Sequence, residues 1–212
     1  MFHVKPLQES DAGTVLQSPP MKLLVFAGST RQQSFNRRLA RIAAELGRDA
    51  GAEVTLLELS ELDIPMYNAD LEARGTPPDV IRLKEIMDAH PAWIICSPEY
   101  NGSYTGLLKN TIDWASSPVA GHPVWTDVTR PFAGKVVGVL SASNGTLGGL
   151  RSQSHLAPLL VLLGCWLAPH NYALARAATA FQEDGSLQDQ AQHEQVRGVV
   201  EQVLWAAQRL AA

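Results

Sequence analysis

The sequence predicts an α/β fold, a doubly wound five-stranded parallel sheet of order 2-1-3-4-5 with helices on both faces. Short apolar runs rich in β-branched residues alternate with longer stretches of helical spacing, the pattern of βα units wound about one sheet. Most of those runs are continuously apolar, as strands covered on both faces require. With 212 residues, 46% of them hydrophobic, the chain can bury one substantial core, and one domain is the default at this length.

The strands are predicted at Met21–Ala27, Glu53–Leu59, Ala92–Ser97, Lys135–Ser141 and Gly164–Ala168. Between the first two, Leu39, Ile42, Ala43, Leu46 and Ala50 recur at steps of three and four. That spacing lays one apolar stripe along a helix, which Gly51 stops. Further helices are predicted at Pro78–Ala89, Tyr104–Ser116 and Gly148–Leu163, and Pro158 inside the last should kink or divide it by removing a backbone bond. Val196, Val200, Val203, Ala207 and Leu210 form the stripe of a C-terminal amphipathic helix. Residues 117–134, with Pro118, Pro123 and Pro131, read as a long loop. Trp125 within it is a candidate to reach over the active site or across a subunit boundary. Residues 1–20, ending in Pro19-Pro20, read as a flexible extension, leaving 21–212 as the domain.

The bulk chemistry excludes several classes. A net charge of −4 gives no basic footprint for a phosphate backbone, so nucleic acid is not an expected partner. Nowhere do about 18 uncharged apolar residues run together, and the first twenty residues lack an apolar secretory core, so no membrane partner is expected and the protein reads as cytoplasmic. Cys96 and Cys165 lie in apolar runs without CxxC spacing and read as buried thiols in a reducing compartment. The six histidines show no ligand spacing, so no metal is expected.

The chemistry concentrates in three loops that follow strands. The first strand runs into Gly28-Ser29-Thr30-Arg31-Gln32-Gln33-Ser34-Phe35-Asn36 and then a helix. Unpaired amides and the macrodipole at a helix N-terminus favour a phosphate there. Ser29, Ser34 and Asn36 add donors, and Arg31 can pair a phosphate through its planar fork. Ser34 or Asn36 acting only as a helix cap is the competing reading. The loop is neither GxxxxGK[ST] nor GxGxxG, which leaves one terminal phosphate as the better fit. The third strand ends in Ser97-Pro98-Glu99-Tyr100-Asn101-Gly102. Ligands of doubly wound sheets sit beyond the carboxyl ends of strands where strand order reverses, so the first and third strands should face one ligand. Pro98 and Tyr100 would wall a flat ring, and amides near Asn101 and Gly102 would meet its polar edge. Glu99 could serve as a base, but a redox cofactor needs no side-chain acid, and no catalytic side chain is assigned. After the fourth strand, Ser141-Ala142-Ser143-Asn144-Gly145-Thr146-Leu147-Gly148-Gly149 lets a ring edge approach the backbone.

The segments GSTRQQSFN, SPEYNGSYTGLLKNTIDWAS and SASNGTLGGLRSQ, with IPMYNADLE between the first two, resemble the NADPH-dependent FMN reductase family, which includes quinone, azo-dye and chromate reductases. The resemblance covers about Met21 to His170. It implies a flavodoxin-like fold and FMN, with its phosphate at Ser29, Arg31, Ser34 and Asn36. It also implies an isoalloxazine resting against Pro98, Glu99, Tyr100, Asn101 and Gly102, with Ser143 lining the third loop. The implied activity is reduction of a small-molecule acceptor, such as a quinone, flavin, azo compound or metal oxyanion, by NADPH or NADH. A flavodoxin-type electron carrier and a flavin-bound sensor are the alternatives, although carriers are usually more acidic than this chain. A homodimer or homotetramer is expected, because Leu156, Leu159, Leu160, Val161, Leu162 and Leu163 cover nearly the whole circumference of their helix, more than one sheet can bury.

Overall fold

In the computed structural model, which describes residues 19–210, the first strand, β1 (Lys22–Ala27), lies in the interior of one parallel sheet. The elements run β1, α1 (Phe35–Asp49), β2 (Glu53–Leu57), α2 (Ala69–Arg74), α3 (Pro78–Ala89), β3 (Ala92–Cys96), α4 (Gly106–Ala115), β4 (Val136–Ala142), α5 (Leu150–Leu162), β5 (Trp166–Leu167), β6 (Tyr172–Leu174) and α6 (Gln190–Leu210). The strand order is β2-β1-β3-β4-β5, with β6 also pairing β4. The flavodoxin-like order is thus present, with one strand more than predicted.

β5 and β6 share one position at the edge of the sheet. β5 pairs with Val136 and Val137, at the start of β4, and β6 with Leu140 to Ala142, at its end. Pro169 interrupts them, since proline cannot donate to a ladder. Asn171 fills the break: its Oδ1 accepts from the Val139 N–H at 2.7 Å. β2 stops two residues earlier than predicted, where Leu59–Glu61 turn into one 3-10 turn. α2 has no counterpart among the predicted elements.

Two apolar layers cover the sheet. α1 and α6 bury Leu39, Ala43, Val199, Val200 and Val203 against Leu23, Val25 and Ile94 on one face. On the other, α3, α4 and α5 bury Leu83, Met87, Leu108, Ile112, Leu156 and Leu160 against Leu24, Phe26, Trp93 and Ile95. α5 is one continuous helix through Pro158. Pro158 and Ser154 are both exposed, so the backbone bond that Pro158 removes falls on the solvent side of the helix. Val161 and Leu162 stay exposed, at 57% and 79%.

The loop 117–134 corrects one expectation. It connects the end of α4 to the start of β4, and in a βα unit that connection lies at the amino ends of the strands, opposite the ligand side. Trp125 therefore does not cover the active site; it is buried within its own loop, beside His122 and Arg130. Arg130 pairs with Asp88 at the end of α3, and Phe132 packs edge-on against Trp93. Lys84 of α3 is buried and donates to the carbonyls of Ala115 and Ser117 at 2.7 and 2.6 Å, closing the C-terminus of α4. The segment after β2 is pinned to α4 as well. Asn110 Nδ2 and Trp114 Nε1 both donate to the Pro65 carbonyl, and Asn110 Oδ1 accepts from the Tyr67 N–H.

Candidate functional site

Three loops converge at the carboxyl ends of β1, β3 and β4 around a cleft of about 220 Å³. It is lined by Ser29, Arg31, Ser34 and Asn36 from the first loop, Pro98, Glu99 and Tyr100 from the second, and Ser143 from the third. Eight of the ten predicted site residues thus share one cleft. Asn101 and Gly102 lie just beyond it, at the tip of a turn. Phe35, Ala142 and Asn144 line it too. Phe35 was missed because its position, directly after a helix cap, resembles that of any apolar residue entering a helix; its ring stacks on Phe181 at 6.0 Å.

The first loop is braced from behind. Ser34 is the N-cap of α1, and its Oγ accepts from the Arg37 N–H at 3.5 Å. Arg37 also donates through Nη1 to the carbonyls of Thr30 and Arg31, and through Nε to Glu58 at 2.9 Å. Arg37 thus holds the loop while Arg31 remains exposed, its guanidinium 5.7 Å from the Phe35 ring. Among the described residues, the amides of Thr30, Gln32, Gln33, Phe35 and Asn36 meet no protein acceptor. Asn36 is buried, and its carboxamide donates to the Ala142 carbonyl at 2.9 Å and accepts from the Ala142 N–H at 3.0 Å. That pairing commits its oxygen and one N–H to joining the first loop to the third.

The second loop is a tight hairpin. Tyr100 and Ser103 exchange two backbone hydrogen bonds, and Asn101 and Gly102 both take positive φ (51° and 78°), as Asn-Gly does in a type I′ turn. Tyr100 is 58% exposed at the rim of the cleft. The Glu99 carboxylate accepts from Arg151 Nε at 2.7 Å and from the Arg151 N–H at 3.2 Å. Paired in this way at the start of α5, the Glu99 carboxylate ties the second loop to that helix. Thr105 caps α4 and donates to the Gly28 carbonyl at 2.7 Å, tying the second loop to the first.

The third loop depends on Gly148. Its φ is +62°, and a Cβ there would lie 2.6 Å from the carbonyl carbon and oxygen of Ala173. Ser141 Oγ donates to the Gly148 carbonyl at 2.8 Å and accepts from Gln153 Nε2 at 2.8 Å. Beneath the second loop Cys96 is fully buried, and burial pushes its thiol well above the ordinary range. It stays protonated and is no nucleophile.

A parallel sheet of this order, with a loop cleft astride its first and third strands, defines a flavodoxin-like nucleotide-binding protein. Residues 21–180 match the model of the NADPH-dependent FMN reductase family. The chain belongs to that family. It is 36% identical over 192 residues to an NAD(P)H-dependent FMN reductase of Pseudomonas aeruginosa, covering 90% of this chain and 95% of that one. It is 37% identical to an NAD(P)H:quinone oxidoreductase of Solanum tuberosum, over 86% of this chain and 90% of the relative. Among solved structures, the flavoenzyme NAD(P)H:(acceptor) oxidoreductase FerB of Paracoccus denitrificans superposes with a TM-score of 0.75 at 30% identity, covering 89% of this chain and 98% of that one.

Proposed function

We propose that the protein is an NAD(P)H-dependent FMN oxidoreductase that reduces small acceptors, quinones and flavins foremost. The observation that carries this reading is the single phosphate-sized cradle of the first loop: unpaired amides at the start of α1, the buried hydroxyls of Ser29 and Ser34, and the uncommitted Arg31. This donor set fits a dianionic terminal phosphate. FMN, when bound, supplies the redox chemistry by taking hydride equivalents from the nicotinamide and passing electrons to the acceptor.

The chain's own residues do the rest. Ser29, Ser34 and Arg31 hold the phosphate. Pro98 and Tyr100 wall the ring, the Asn101–Gly102 turn presents backbone toward its polar edge, and Ser143 approaches from the third loop. Asn36 and Glu99 act as ties, fixing the first and second loops to β4 and α5.

The working unit in this reading is a homodimer or homotetramer. No helix among the described residues is long and apolar enough to cross a membrane, and the two cysteines are buried and free, which supports a reducing, cytoplasmic setting. The test is twofold. Denatured protein should release FMN and not FAD, and purified protein should sustain oxidation of NADPH or NADH with a quinone. Flavin binding without nicotinamide turnover would replace the reductase reading with that of an electron carrier or sensor.

A further inference from the structure

A second cleft, larger than the first at about 460 Å³, shares the third loop with it: Asn144 lines one and Thr146 the other. Besides Thr146, its polar lining comprises Arg176, Thr179, Gln188, Asp189 and Gln192. Arg176 has a left-handed backbone with φ +52°, and the third loop imposes it. The Arg176 N–H donates to the Gly145 carbonyl at 3.3 Å, the Ala178 N–H to Asn144 Oδ1 at 2.8 Å, and the Arg176 carbonyl accepts from both the N–H and the hydroxyl of Thr179. The side chain is exposed, and among the described residues its guanidinium has no hydrogen-bond or ion-pair partner. At the other end of the lining, the Gln192 carboxamide oxygen is buried and meets no donor among the described residues. Asp189 adds a carboxylate, one oxygen of which accepts from the Ala191 N–H.

A ligand matching this lining carries an anion for Arg176 and the Thr146 hydroxyl, and also O–H or N–H donors for Gln192 and Asp189. A quinone has no such anion, and a metal oxyanion brings no set of hydroxyl donors. A phosphorylated ribose has both. Resting on the oxidoreductase reading above, we propose that this cleft receives the phosphorylated adenosine end of NADPH, with Arg176 on its 2′-phosphate, while the nicotinamide end reaches the neighbouring cleft across the third loop. Arg176 is then the residue that sets preference for NADPH over NADH.

Calorimetric titration of the full-length protein with 2′,5′-ADP, 5′-AMP and inorganic phosphate tests this without relying on turnover. 2′,5′-ADP should bind at least about tenfold more tightly than 5′-AMP, the lower end of what a charge-assisted pair contributes. Arg176→Asn, which tolerates the left-handed backbone, should abolish that difference and lower the NADPH-to-NADH preference roughly tenfold to a hundredfold, through KM and not kcat. Arg176→Lys, a second variant in case the first folds poorly, should recover part of both. Equal affinity for 2′,5′-ADP and 5′-AMP, or identical 2′,5′-ADP binding by wild type and variants, would overturn the proposal, as would inorganic phosphate binding as tightly as 2′,5′-ADP. A wild type that binds 2′,5′-ADP as described yet oxidises neither nicotinamide overturns the oxidoreductase reading and leaves the cleft assignment standing.

Discussion

Asn36 clasps the peptide of Ala142 from both sides, donating to its carbonyl at 2.9 Å and accepting from its N–H at 3.0 Å across 106 residues of sequence. Both partners are buried. This one side chain joins the first turn of α1 to the end of β4, and so sets the distance between the first and third loops of the cleft. Asn36→Ala leaves a buried N–H and a buried carbonyl without partners, each costing about 1–3 kcal/mol. Urea denaturation should show a loss of about 2–6 kcal/mol, together with weaker FMN binding. Unchanged stability would show that water takes over the clasp.

Arg31 is the counterpart case, exposed and without an ion-pair partner among the described residues. Arg31→Ala should leave stability within about 0.5 kcal/mol while weakening FMN roughly tenfold to a hundredfold, as loss of a charge-assisted bond to phosphate implies. Fluorescence titration with FMN measures it. Unaltered affinity would place the phosphate elsewhere.

These two residues show how far the sequence could be read. Both stood in one motif as candidate phosphate donors, and the strand-loop-helix pattern located the cleft through them. Their different roles depend on where β4 ends, a contact that spacing along the chain cannot reveal. Glu99 is similar: its pairing with Arg151, 52 residues on, which ties the second loop to α5, leaves no mark in the local spacing of the motif. The expectation that Trp125 reaches over the active site fails for another reason. Its loop follows a helix and precedes a strand, so topology alone consigns it to the far end of the sheet. The split of the edge strand at Pro169 was hidden because β5 and β6 are only two and three residues long, too short to show a period.

Lys84 makes stability depend on pH. Burial lowers its pKa from 10.5 to about 8, opposed by the nearby Glu72 carboxylate. Between about pH 8 and 10.5 the unfolded chain therefore binds a proton at this site that the folded chain does not, and stability from this group rises with pH across that window. Below pH 8 the folded state carries the full cost of the buried charge. Comparison with Lys84→Met cancels the lysine and cysteine titrations elsewhere. The wild-type-minus-variant difference in unfolding free energy should climb from pH 8 to 10, and a flat difference would show that Lys84 titrates normally.

The last prediction concerns α5. Val161 and Leu162 are 57% and 79% exposed near its C-terminus, while Leu147 and Leu150 are 47% and 48% exposed where it begins, with Tyr100 at 58% on the cleft rim nearby. Among the described residues, the long loop available to cover this surface is 117–134. It packs instead around Trp125 and Phe132 at the amino ends of the strands, leaving these side chains open. Large apolar side chains left exposed at both ends of α5, those at its start beside a binding cleft, point to a protein interface, and a symmetric dimer buries the same surface twice. Light scattering at micromolar concentration should give at least twice the monomer mass of 23.0 kDa. Leu150→Asp should shift it toward monomer and weaken FMN binding, because the partner then no longer closes the rim beside Tyr100. Leu162→Asp, farther along the helix, should dissociate the assembly with less effect on the cofactor. A wild-type mass near 23.0 kDa that persists with FMN bound would show that α5 carries its apolar face in water.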